Sequence, residues 1–227
     1  MKDFLKYVMA TIVGMLLCSI VATVITVLSL AGMAASEGAS APIVDNSILH
    51  IKLQGTIEER MKDTPLSMFT NNEFEVLGLD KTLEALEKAK ANDKILGVYL
   101  EGGILAATPA MAEELRHALL DFKESGKFVF AYGDSYSKSA YYIASVADRV
   151  MLNPIGSLDW SGMAAQPIFY KDLLAKIGVK MQVYKVGTYK SAVEPFICTE
   201  MSDANREQVA SYLGGIWQNM LKDSIHL

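Results

Sequence analysis

Apolar and polar positions divide this chain into two unlike parts. Across residues 7–36 no charged side chain interrupts a run dense in Val, Ile, Leu, Met and Ala. That run exceeds the roughly 20 residues that a helix needs to cross a bilayer. Beyond residue 46 the apolar positions fall into short groups with two different periods. Residues 47–53 (SILHIKL) alternate and predict a strand ended by Gly55. Residues 58–75 are charged and polar, with Pro65 and the pair Asn71-Asn72, and predict an exposed loop. Leu79, Leu83 and Leu86 then recur at helical spacing to about Lys90, where Asn92-Asp93 closes the helix.

The same alternation continues. Residues 95–100 (ILGVYL) form an apolar run of strand length, and Glu101-Gly102-Gly103 behind it predicts a tight turn. Thr108 is a helix cap with Pro109 in the first helical position, Met111, Leu115, Leu119 and Phe122 line the buried face, and Gly126 stops the helix. Residues 127–132 read as a strand, 136–146 as a short helix and 148–152 as a strand. A last helix, about residues 203–221, carries Val209, Leu213, Ile216, Trp217 and Met220 on one face, suited to core packing and in part to an interface. Strand and helix in this order predict βαβ units and a largely parallel α/β sheet; the periodicity does not separate a spiral of such units from a doubly wound sheet.

Charge places the first segment. Lys2 and Lys6 precede it and Glu37 and Asp45 follow, so the N-terminus is expected in the cytoplasm and the rest outside. A cleaved signal peptide, with Ala34-Ala35-Ser36 as the cleavage site, has a shorter apolar core of about 7–15 residues; the length here favours an uncleaved anchor. Leu17 ahead of Cys18 is too large for a lipoprotein signal. The expected organisation is an anchor over 1–36, a linker over 37–46 and a single domain over 47–227, with the lipid bilayer contacted through residues 7–36.

Composition then removes whole classes of function. The net charge of −5 and the lack of a basic run argue against nucleic acid as a partner. The 3 histidines are far apart in sequence and the 2 cysteines, Cys18 and Cys198, form no metal-ligand spacing, so no metal and no organic cofactor is expected. Short glycine stretches lack the spacing of a phosphate-binding loop.

Candidate chemistry concentrates in residues 186–196, VGTYKSAVEPF. The turn Gly187-Thr188 and the break Glu194-Pro195 bracket Lys190, and the apolar Met181, Val183 and Val186 ahead of it predict a buried strand that brings the lysine to the edge of the core. A lysine acts as a base only when neutral, and burial favours the neutral amine. Such an amine accepts a proton from a serine hydroxyl, the Ser-Lys variant of the hydrolytic triad. Ser191, Thr188 and Tyr189 are candidates to support it. A direct bond from the adjacent Ser191 is geometrically poor in an extended strand. Glu194 is expected to bond elsewhere, because a carboxylate beside the amine would hold it protonated.

The motif VGTYKSAVEPF, with Met201-Ser202 and the helix bearing Trp217-Gln218-Asn219 behind it, resembles the N-terminal half of the long-form SppA signal peptide peptidases, or protease IV, from the membrane segment to the last residue. The resemblance implies a ClpP/crotonase-like spiral of ββα and βαβ units behind one transmembrane helix. It implies that Lys190 is the general base and that the nucleophilic serine lies in a related second half absent from this sequence. It further implies a homo-oligomer in the bacterial inner membrane, facing the periplasm, that degrades hydrophobic signal-peptide remnants. In the family's second half a glycine pair after the corresponding strand holds the oxyanion; for Gly102-Gly103 the turn reading is preferred. Aligning Tyr141-Tyr142 with the aromatic pair behind the family's nucleophile puts Lys138 at the nucleophile position, and Ser137 and Ser139 become helix-start residues. The alternative is a non-catalytic, membrane-anchored scaffold of the same fold.

Overall fold

In the computed structural model, which describes residues 2–37, 42–61 and 76–225, the chain divides into two compact units, Met1–Val44 and Asp45–Leu227. The first is built on one helix, α1 (Lys2–Glu37). Its stretch Lys6–Ser29 is long and apolar enough to span a membrane, which makes α1 a candidate membrane span. Thr11, Thr23, Thr26 and Ser29 turn their hydroxyls back onto carbonyls four residues earlier, so they add no unsatisfied polar group to this helix.

The second unit is a parallel five-stranded sheet in the order β2-β1-β3-β4-β5. The strands are β1 (Ser47–Glu58), β2 (Val76–Gly78), β3 (Ile95–Ala106), β4 (Phe128–Tyr136) and β5 (Arg149–Leu158). Helices α2 (Leu79–Ala91), α3 (Pro109–Lys123) and α4 (Lys138–Ala144) are the crossovers between successive strands from β2 onward. The result is the mixed α/β, βαβ-built sheet expected, consistent with a ClpP/crotonase-like fold. Leu53, Val98, Leu100 and Val129 from the strands meet Leu86, Leu115, Leu119, Phe122 and Ile143 from the helices, all essentially without solvent exposure. Each such side chain contributes about 1.5–3 kcal/mol by leaving water. The opposite sheet face carries His50, Lys52, Gln54, Phe130 and Tyr132 and is exposed.

Local chemistry sets the helix ends. Thr108 Oγ1 accepts from the Met111 N–H, Pro109 opens α3, and Gly126 closes the connection with φ +79°. Lys127 Nζ donates to the carbonyls of Ala89, Lys90 and Asn92 at 2.7, 3.1 and 2.7 Å, satisfying the open end of α2 and fixing it against the start of β4.

Four strands run further than the alternation predicts. β1 passes through a bulge at Gly55 (φ +79°) and continues to Glu58, where it pairs with β2. β3 passes straight through Glu101-Gly102-Gly103, so the expected turn is a strand. Gly102 is needed there because a Cβ would sit 2.6 Å from Cζ of Tyr136, whose buried ring lies over it. Tyr136 itself is the end of β4, not the start of a helix. β5 runs to Leu158. Most of the loop expected over residues 58–75 lies outside the described residues.

Candidate functional site

Beyond β5 the chain forms a long arm with one short helix, α5 (Lys171–Lys176). It then enters a turn at Gly187 (φ +97°), a single 3-10 turn (Ser191–Val193), the short α6 (Glu194–Ile197) and the long α7 (Asp203–Ile225).

Lys190 sits immediately before the 3-10 turn and is exposed. The buried strand expected ahead of it is not formed. Residues 179–186 have no regular structure, and Met181 and Val186 are 44% and 88% exposed. The reason is that among the described residues no strand edge and no apolar layer faces this segment. The supporting residues disperse around the lysine. The Tyr189 hydroxyl donates to Glu207 Oε2 on α7 at 3.1 Å, the Ser191 N–H donates to the Tyr189 carbonyl at 3.0 Å, and Thr188 is exposed. Ser191 opens a helical turn instead of lying in a strand.

Glu194 does not pair with Lys190. Its carboxylate is 1% exposed. It accepts from Ser202 Oγ at 2.6 Å, from the Ser202 N–H at 3.2 Å and from Asn205 Nδ2 at 2.9 Å. The Ser202 hydroxyl, with Asn205 and the Ser202 N–H adding to it, holds the Glu194 carboxyl below its ordinary range against the opposing effect of burial. Ser202 Oγ in turn accepts from the Asn205 N–H at 3.2 Å, at the start of α7.

The far end of α7 is tied to the sheet domain. Buried Arg116 donates from Nη1 to the Tyr142 carbonyl and Ser145 Oγ, and from Nη2 to the Asp223 carbonyl. The Tyr142 hydroxyl donates to Asp223 Oδ2 at 2.6 Å. Between the two ends an aromatic series runs from Tyr136 through Tyr141 and Trp160 to Trp217 on α7, with centroid separations of 6.3, 5.0 and 5.4 Å. Met220 is buried and Ile216 and Trp217 pack on the core, while Val209 and Leu213 stay half-exposed. The α7 stripe is therefore core packing at one end only. Arg116 was not legible as buried: a charged residue on the inner face of α3 breaks the apolar pattern, and that break was the one available signal.

At the start of α4, Ser137 exchanges hydrogen bonds with the backbone of Leu105, both at 3.0 Å, and accepts from the Ala140 N–H at 3.4 Å. It is a helix cap tied to β3. Lys138 Nζ donates to the Gly162 carbonyl at 2.8 Å and lies 5.8 Å from the Trp217 ring centroid. Lys138 and Ser139 border a cavity of about 290 Å³, lined also by Ala112, Glu113, Met163, Ile216 and Met220. The Gly103 carbonyl accepts from the Ser137 N–H, and Gly102 pairs within the sheet, so the glycine pair is part of the ladder.

Residues 121–223 match the family model described as peptidase family S49. The chain is 42% identical over 140 residues to Protease 4 of Salmonella typhi, covering 61% of this chain and 23% of that protein. It is 39% identical over 140 residues to Protease 4 of Haemophilus influenzae, covering 60% and 22%. It is 30% identical over 175 residues to the chloroplastic serine protease SPPA of Arabidopsis thaliana, covering 77% and 25%. The aligned part thus amounts to about a quarter of the length of each relative.

Proposed function

The chain carries a peptidase family S49 domain, and from that premise we propose that it is the base-bearing half of a membrane-anchored serine endopeptidase. Lys190 is the general base, and a second half supplies the nucleophilic serine. The observation that carries this reading is that the S49 match, residues 121–223, includes Lys190 together with α4, Glu194 and all but the last two residues of α7. The exposure of the turn belongs to the same reading. A base amine must be neutral, and neutrality requires desolvation. An exposed lysine flanked by exposed Met181, Tyr184 and Val186 becomes such a base once another apolar surface covers it.

In the assembled site, neutral Lys190 takes the proton of the serine hydroxyl as its oxygen attacks the scissile carbonyl. The tetrahedral intermediate collapses to an acyl-enzyme, the lysine returns the proton to the leaving amine, and water releases the acyl group by the same path. Ser191, Thr188 and Tyr189 support the turn that carries the amine. The substrates are hydrophobic remnants of signal peptides, and the anchor α1 holds the enzyme in the bacterial inner membrane, its catalytic unit on the periplasmic side, where such peptides are released. The working form is a homo-oligomer in which the second half covers the lysine turn. No nucleic acid takes part.

A serine-reactive fluorophosphonate tests this. In a full-length protein containing this chain, the label is expected on a serine outside residues 1–227, and the 227-residue chain alone is expected to remain unlabelled. Labelling of Ser137 or Ser139 in the isolated chain would overturn the proposal. A full-length protein refractory to the probe would favour the scaffold.

A further inference from the structure

The lysine turn has few structural ties, and the tightest lies four residues downstream of the amine. We infer that Glu194 is a positioning residue for Lys190, acting as the joint between the lysine turn and α7; this rests on the reading of Lys190 as the base. Three donors from two residues converge on one buried carboxylate: Ser202 Oγ, the Ser202 N–H and Asn205 Nδ2. Both donor residues stand at the start of α7. The Glu194 N–H donates to the Ser191 carbonyl and the Glu194 carbonyl accepts from the Cys198 N–H at 2.8 Å, so with the carboxylate contacts the 3-10 turn, α6 and the α7 start form one hydrogen-bonded unit.

What makes this a device for placement is the other end of the helix. α7 is held at Asp223 by Arg116 and Tyr142, and Arg116 also holds the Tyr142 carbonyl and Ser145 on α4. Glu194 thereby fixes the lysine turn to a rigid strut, and the strut is registered against the sheet domain. Upstream of the turn the arm lacks regular structure from 179 to 186; its own tie, the Tyr170 N–H to the Pro195 carbonyl at 2.6 Å with the Tyr170 ring stacked on Phe196, reaches α6 and not α7. The Tyr189–Glu207 hydrogen bond is a second tie between the turn and α7, but both of its partners are exposed. A reacting group misplaced by about 1 Å costs on the order of 100-fold in rate, so a joint of this kind matters to turnover more than to substrate binding.

The donor pattern supplies a specific test. Glu194→Gln keeps the shape but turns one acceptor oxygen into a donor, set against the Ser202 N–H and Asn205 Nδ2 in one amide orientation and against Ser202 Oγ in the other, so the three-donor match is broken either way. Adding Asn205→Asp removes the Asn205 donor and supplies an acceptor for the new amide donor. In the full-length protein, with an apolar fluorogenic peptide as substrate, Glu194→Gln is expected to lower kcat by roughly 10- to 100-fold with KM within about twofold. The double variant is expected to recover at least about tenfold of a hundredfold loss, or most of a smaller one. Lys190→Ala, measured alongside, separates the two claims. If Lys190→Ala retains turnover, the base assignment fails and this inference falls with it. If Lys190→Ala is inactive while Glu194→Gln has the parent kcat, the base stands and the positioning role is overturned. A double variant that regains the melting temperature without regaining kcat would also overturn it, by reducing Glu194 to a purely structural cap.

Discussion

The guanidinium of Arg116 stacks on the ring of Tyr142, 5.0 Å from its centroid, and both side chains hold the same residue, Asp223. Arg116 is 2% exposed. A buried cation is tolerated only where its donors are matched, and here two carbonyls and a hydroxyl match them. The pair is the latch by which the last helix is held to the sheet domain.

Replacing Arg116 with Met removes that latch and takes a donor from the Asp223 carbonyl and from Ser145 Oγ, while the Tyr142 carbonyl keeps the Ser145 hydroxyl. The expected destabilisation is about 3 kcal/mol. For a domain of this size that is roughly 6–12 °C in melting temperature, measured by circular dichroism. An unchanged melting temperature would mean that α7 is held by its apolar stripe alone.

Tyr142→Phe keeps the ring under Arg116 and removes only the hydroxyl that donates to Asp223. The expected cost is about 1.5–3 kcal/mol, because the acceptor is charged. In a double-mutant cycle with Asp223→Asn the two changes should be non-additive by at least about 0.5 kcal/mol.

Gly102→Ala places a methyl against the Tyr136 ring, 2.6 Å from its Cζ, and that ring is buried and hydrogen-bonded through its hydroxyl to the Met151 carbonyl. Overpacking of this kind costs about 1–3 kcal/mol. Tyr136→Phe alone should be milder, about 1 kcal/mol, so urea midpoints should order the two variants in that sequence. Burial pushes the Tyr136 hydroxyl up to about 12. For this tyrosine the neutral form is the one the fold favours, so its contribution is present below the unfolded value near 10 and is lost as pH rises through about 12.

Glu194 gives the opposite pH signature. Its hydrogen bonds with Ser202, and then Asn205, lower its folded value below the ordinary 4.5. The stability it contributes is present above 4.5 and is lost as pH falls through the lowered folded value. The melting-temperature difference between the parent chain and Glu194→Gln should therefore be largest at neutral pH and shrink on acidification below 4.5. The 2 tryptophans, Trp160 and Trp217, pack against each other in a tilted pair where α7 meets the sheet domain, so their fluorescence follows unfolding at this contact.

Much of the fold could be read from local pattern because the helical faces of α2 and α3 and the apolar strands 95–100 and 127–132 each carry a strong period. The strand ends could not. β1 continues past Gly55 only because β2 lies beside its far end, and β3 continues through Gly102-Gly103 because Tyr136, distant in sequence, needs the space a side chain would fill. Both are tertiary causes without a local trace. The motif around Lys190 was legible as a candidate, and the reasoning that Glu194 bonds away from the amine agrees with its contacts to Ser202 and Asn205. The expectation of a buried strand ahead of Lys190 failed because Met181 and Val186 have an apolar pattern but no layer of described residues to pack on.

The central claim is that Lys190 activates a serine carried elsewhere. The most direct measurement is the rate of fluorophosphonate labelling of the full-length protein, compared between the parent and Lys190→Ala at equal, verified folding. The account predicts that labelling falls by at least about 100-fold, as expected when a general base is removed, while the melting temperature stays within about 2 °C, as for an exposed substitution. Labelling at the parent rate would contradict it and leave Lys190 a surface residue on a well-anchored turn.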